Sequence, residues 1–137
     1  MGEFPARRSV GNRRRCALCA RWGIEIDPAL VARARADARE AGVEDEVEFR
    51  LGDMYAADVR PATVVTLFLH PEPNLKLRPK LRSELQAGSR VVSYIWDMGD
   101  WTPEEVRQVN RYRIFLWRIA PRAGPVIGVL DTRGFIK

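Results

Sequence analysis

Strand-like and helix-like stretches alternate along this chain, and that alternation leaves few folds open. Thr63 to Leu69 is nearly all apolar and rich in β-branched or aromatic side chains, which predicts a central strand covered on both faces. Arg90 to Ile95 predicts a second apolar strand. Between them Leu77, Leu81 and Leu85 recur every four residues, with Pro79 near the start and Gly88 at the close, which predicts a helix. Upstream, Gly23-Ile24-Glu25-Ile26 reads as a short strand end. Asp27 and Pro28 then stand as N-cap and first helical residue. Ile26 is placed to pack on Val31 as a hydrophobic staple. Leu30, Ala34, Ala38 and Ala41 share one helical face, and Gly42 is placed to end the helix. Val47 to Leu51 alternates at period two, as a strand at or near a sheet edge does. Pro103 is expected to open a short polar helix. Ile114 to Ile119 and Val126 to Leu130 read as two strands joined by a Pro/Gly turn and close enough to pair antiparallel. The fold class is therefore α/β: a mostly parallel sheet with helices packed on it and a C-terminal antiparallel strand pair.

With 137 residues the chain is of single-domain size. No apolar run reaches the ~18 residues of a membrane span. Cys16 and Cys19 form a Cys-x-x-Cys pair, and His70 is the one histidine. That set falls short of the about four ligands of a structural zinc, so no metal is expected. Cysteine scarcity favours a reducing, cytoplasmic compartment. The net charge of +5 is unevenly placed. Of the 23 Lys and Arg, six lie before Gly23; of the 18 acids, only Glu3 does. The remainder is balanced, so the surplus sits on a turn-rich, arginine-rich N-terminal segment, residues 1–22, rather than on a folded face. Nucleic acid is an unlikely partner on that ground.

Ligands of such sheets bind beyond the carboxyl ends of the strands. Glu25 ends the first predicted strand, where a carboxylate can accept hydrogen bonds from a ribose diol. The plainer reading is a solvated acid near a helix start. Asp53 follows Gly52 at the end of the next strand and can accept from an exocyclic amine, with Met54 beside it as apolar surface for a flat ring. A turn aspartate is the plainer reading there. Both acids at successive strand ends favour adenosine. His70, Glu72 and Asn74 lie in the loop after Leu69. His70 has the chemistry to accept a proton, although polar loop residues are commonplace. Trp96, Asp97 and Trp101 follow the apolar strand that ends near Ile95, and line an acceptor channel or simply pack.

The run Gly23 to Pro28, followed by a helix, then Val47-Glu48-Phe49 and Gly52-Asp53-Met54, resembles the second and third strand motifs of class I S-adenosylmethionine-dependent methyltransferases. Ala87 to Ser93 is similar to their approach to the fifth strand. Leu67 to Pro71, Asn74-Leu75, Leu77 to Leu81 and Ile114 to Arg118 resemble the branch of protein-lysine methyltransferases related to those acting on mitochondrial carrier and ATP synthase subunits. The resemblance covers residues 23 to about 120. It implies a Rossmann-like methyltransferase fold, S-adenosylmethionine as cofactor, and a methyl acceptor that includes protein lysine. By it, Glu25 would bind the ribose and Ile26 would line the adenine. Asp53 would bind the adenine amine beside Met54. Two rivals stand. One is an NAD-dependent oxidoreductase, since an acid after the second strand also suits NAD ribose. The other is a non-catalytic fragment that binds acidic partners through its arginine-rich segment.

That family's first strand carries an acid and then a glycine-rich turn. Upstream of Glu25 only Gly2, Gly11 and Gly23 occur, and nothing matches. Residues 1–22 are therefore expected to be an atypical segment, truncated or out of frame, preceding a partial methyltransferase domain at 23–137 that lacks its first strand. Losing a central strand exposes the edges of its neighbours. The chain is expected to bind S-adenosylmethionine weakly or not at all, and calorimetry showing micromolar affinity would overturn that expectation.

Overall fold

A computed structural model of the chain describes residues 21 to 122, so the predicted strand at Val126–Leu130 and the Cys16–Cys19 pair lie outside the described residues. The chain divides into two units, one ending at Ala57 and one beginning at Asp58.

The first unit is a β–α–β turn of chain. Strand β1 (Arg21–Glu25) leads into helix α1 (Pro28–Glu40), which returns to strand β2 (Val47–Leu51). The strands pair in parallel, with Gly23 opposite Phe49 and Glu25 opposite Leu51. Helix α1 begins as the sequence predicts. Asp27 is extended (φ −88°, ψ 115°), its Oδ1 accepts the Ala29 N–H at 2.8 Å, and Pro28 takes the first helical position. It also ends as predicted. Gly42 adopts φ +69°; its N–H donates to Arg39 O and that of Val43 to Ala38 O, the paired bonds of a Schellman stop. The buried face differs from the predicted one. Val31 and Ala38 are buried, whereas Leu30 is 48% exposed. Ile26 is 70% exposed, so the expected staple does not bury it. Gly23 lets the Phe49 ring lie against β1: a Cβ there would stand 3.0 Å from Phe49 Cδ1. Arg35 closes the unit by donating to Phe49 O at 2.8 Å.

The second unit contains strand β3 (Val64–Leu67), helix α2 (Pro71–Glu84), strand β4 (Arg90–Tyr94) and the hairpin of strands β5 (Glu105–Val109) and β6 (Tyr112–Arg118). The sheet order is β3-β4-β6-β5. β3 and β4 are parallel; β4–β6 and β6–β5 are antiparallel. Val91 and Ser93 of β4 lie opposite Trp117 and Phe115 of β6, and all four are buried. Leu77, Leu81 and Leu85 are buried as the fourfold spacing predicts. Trp117 is 1% exposed, packs 5.6 Å from Trp101 and 5.9 Å from Phe115 between ring centres, and donates its Nε1–H to Trp101 O at 2.7 Å.

Three sequence expectations are corrected here. Glu105–Val109 is a strand, not a polar helix. Among the described residues an antiparallel hairpin joins Glu105–Val109 to Tyr112–Arg118 through Asn110 and Arg111, with Asn110 at φ +55°. β3 is not covered on both faces: it ends the sheet, pairs only with β4 among the described residues, and leaves Val64 41% exposed. Pro79 sits inside α2, because Pro71 already occupies its first turn. α2 gives up one backbone bond, to Leu75, at an exposed position. His70 is the N-cap of α2 but makes no side-chain cap. Pro71 and Pro73 lack two of the N–H groups that a cap would otherwise serve.

Leu81 is fully buried and Leu30 half exposed. Leu81→Ala should cost about 2–5 kcal/mol in urea denaturation, and Leu30→Ala under about 1 kcal/mol.

Candidate functional site

Two concavities lie at strand ends, one in each unit. In the first unit β1 and β2 run parallel, so their carboxyl ends coincide. Glu25 closes β1, Gly52 follows β2, and the Gly52 N–H donates to Glu25 O at 2.9 Å. Glu25 and Asp53 therefore occupy adjacent strand tips, as the sequence predicts. Glu25 does not swing free: its Oε1 accepts the N–H groups of Ile26 at 2.9 Å and Asp27 at 3.0 Å. Asp53 is fixed in its turn, its Oδ1 accepting from Tyr55 N–H at 2.8 Å. Ile26 presents apolar surface beside Glu25, and Met54 is half-buried beside Asp53. A shallow space of about 340 Å³ also opens on Glu25, lined by Gly23, Leu30, Ala34 and Phe49. It lies toward α1 and includes neither Ile26 nor Asp53.

Adenosine offers ribose hydroxyls and an exocyclic amine, all donors. Two carboxylates held in place at neighbouring strand tips, each with an apolar neighbour, match those donors. The residues present therefore fit the adenosine half of an adenosyl cofactor. Among the described residues no glycine-rich turn stands ready for the other half.

The second unit holds the larger concavity, about 510 Å³. Its walls are Pro71 at the start of α2, Ile95, Trp96 and Asp97 after β4, and Gln108, Arg111, Tyr112 and Arg113 around the β5–β6 turn. The loop after β4 is bent hard. Ile95 takes φ +73°, rare and costly for a β-branched residue. What holds it is α2. Asn74, fully buried, donates from Nδ2 to Ser93 Oγ (3.1 Å), Trp96 O (3.3 Å) and Asp97 O (3.2 Å). Ser93 Oγ donates to Trp96 O at 2.6 Å. Because both backbone oxygens only accept, the amide must turn its nitrogen to the loop, and Oδ1 is left buried without a partner among the described residues. One turn along, Arg78 donates to Met98 O at 2.7 Å and pairs with Asp100. Gly99, at φ +67°, lets the loop lie on α2; a Cβ there would come 2.8 Å from Leu75 Cδ2.

The sequence candidates thus separate. Trp96 and Asp97 line the concavity, while Trp101 packs on Trp117. His70 and Glu72 are exposed at the start of α2. Asn74 is interior and acts on the loop. Sequence reasoning missed Gln108, Arg111, Tyr112 and Arg113, since it read a helix ahead of them. The signal was Asn110, a residue tolerant of positive φ, set between Val106 and Val109 on one side and the apolar run Ile114 to Trp117 on the other. Asp58, held down to about 2 chiefly by the Arg60 side-chain hydrogen bond, lines neither concavity. Among the described residues no cluster of His, Cys, Asp and Glu could hold a metal, and no helix is long and apolar enough to cross a membrane.

A β–α–β unit with acids at both strand tips, and a sheet ending in an antiparallel hairpin, define a Rossmann-like methyltransferase fold. The chain belongs to the ANTKMT methyltransferase domain family, whose model matches residues 7–105. That membership sets aside the nicotinamide reading. A protein-lysine N-methyltransferase of Saccharolobus islandicus is 38% identical over 88 residues, covering 64% of this chain and 55% of its own length. The adenine nucleotide translocase lysine N-methyltransferase of Mus musculus is 31% identical over 112 residues, 82% of this chain and 48% of its own. The chain thus spans about half the length of these curated relatives. The crystal structure of an RNA methyltransferase from Salinibacter ruber, in complex with S-adenosyl-L-homocysteine, superposes with a TM-score of 0.71. It is 49% identical and covers 80% of this chain and 70% of that one.

Removing the Asn74 amide takes a donor from Asp97 O and one of two donors from Trp96 O, which keeps Ser93 Oγ. Asn74→Ala should cost roughly 1–3 kcal/mol in chemical denaturation, and should change the emission of the half-exposed Trp96, whereas Leu75→Ala should not move that emission.

Proposed function

We propose that this chain is the core of an S-adenosylmethionine-dependent methyltransferase whose acceptor is a protein lysine. Glu25 accepts from the ribose hydroxyls and Ile26 lies against the adenine. Asp53 accepts from the adenine amine beside Met54. Bound, the cofactor supplies a methyl group on a sulfonium. The chain's own task is to position the reactants and exclude water. A lysine acceptor must arrive neutral, which a water-poor pocket favours. His70 and Glu72, exposed at the start of α2, are the candidates to contact the acceptor or take its proton. The scarcity of cysteine supports a cytoplasmic, reducing location.

The observation that carries this reading is the pairing of Glu25 and Asp53 at the tips of parallel β1 and β2. The lysine acceptor is supported by the names of the Saccharolobus islandicus and Mus musculus relatives. An RNA acceptor is the second reading, favoured by the name of the Salinibacter ruber structure.

An amide-detected NMR titration of the full chain with S-adenosylhomocysteine tests the site. Shifts should concentrate at Glu25, Ile26, Asp53 and Met54, and Glu25→Ala or Asp53→Ala should each weaken them about tenfold or more. Shifts that fall elsewhere in the chain and spare those strand tips refute the assignment.

A further inference from the structure

The concavity of the second unit has an unusual charge arrangement for its surroundings. On the same hairpin, Arg107 pairs with Glu105 and Arg118 with Glu104. Each of those guanidiniums has a carboxylate on or beside strand β5. Arg111 and Arg113, the two that line the concavity, have none among the described residues. They lie instead over aromatic rings, Arg111 5.3 Å from the Tyr112 ring centre and Arg113 5.2 Å from that of Phe115. A ring face holds a guanidinium in place while leaving its in-plane N–H donors directed outward.

The one acid on the wall, Asp97, has its Oδ1 engaged by the Gly99 N–H at 3.0 Å, and its single charge is outnumbered by the two guanidiniums. Trp96, 40% exposed, adds an apolar surface. A volume of about 510 Å³ admits a side chain with its flanking backbone. Two oriented guanidinium groups suit a carboxylate, which they bind through paired N–H donors, and the indole suits the methylenes that carry it.

We infer that this concavity docks an acidic side chain of the polypeptide to be methylated, so that the preferred acceptor lysine lies near an Asp or Glu. The inference rests on the methyltransferase reading above and adds the sequence context of its substrate. A polynucleotide fits less well. It needs a track of cations that follows successive phosphates, and here two arginines stand at a single turn in a chain whose charges balance from Gly23 onward.

The test is binding to the full chain, followed by NMR, of a short peptide with a central lysine flanked by glutamates. The same peptide with glutamines, and an oligouridine, serve as comparisons. The glutamate peptide should bind about tenfold more tightly than the glutamine one. Its shifts should fall at Trp96, Arg111 and Arg113, and the preference should vanish in Arg111→Gln/Arg113→Gln. Equal binding of the two peptides overturns the inference, as does preferential binding of the oligouridine at the same residues. S-adenosylhomocysteine shifts at Glu25 and Asp53, read on the same samples, separate the outcomes. Their loss counts against the cofactor assignment alone, and loss of the glutamate preference counts against the docking site alone.

Discussion

Helix α2 reaches across to the loop after β4 with two side chains, and the larger concavity exists because of those bonds. Asn74 takes the carbonyls of Trp96 and Asp97, and Arg78 takes that of Met98. Backbone carbonyls that leave a strand for the interior need donors, and an unserved buried carbonyl costs about as much as a lost hydrogen bond. Here the donors come from one helical face, four residues apart, so a rigid element sets the loop's path. The leucine stripe that seats α2 therefore also decides where Trp96 and Asp97 point.

The pair of acids at the strand tips is built on another principle. Its two acids need no burial and no long-range partner. Parallel pairing of β1 and β2 brings their tips together, and each acid then accepts from backbone N–H groups a residue or two further on. Orientation comes from local turns and juxtaposition from strand register.

What the sequence disclosed and what it concealed divide along the same line. Asp27, Pro28 and Gly42 were legible because caps and stops are settled by a residue and its immediate neighbours. The leucines of α2 were legible because a fourfold repeat has one helical solution. Glu25 and Asp53 could be placed at strand ends for the same reason. β5 was concealed. Its two valines, Val106 and Val109, stand three apart, a helical spacing, and in the strand both remain exposed. Their pairing with β6 supplies the order that the side chains do not advertise. Leu30 misled because helix spacing alone cannot say which of two neighbouring stripes faces a sheet; Val31 took that place. The pocket arginines were hidden behind the same misreading of β5, since only a hairpin turn sets Arg111 and Arg113 near the end of β4.

Ile95 joins these threads. A branched residue in a left-handed conformation has a local preference against the shape it holds. It stays there because the next two carbonyls are captured by Asn74. Positions 74 and 95 are thus coupled, the first buried and the second on the wall of the concavity. Without the asparagine, only a residue at ease in that backbone, such as glycine or asparagine, would hold the same wall in place.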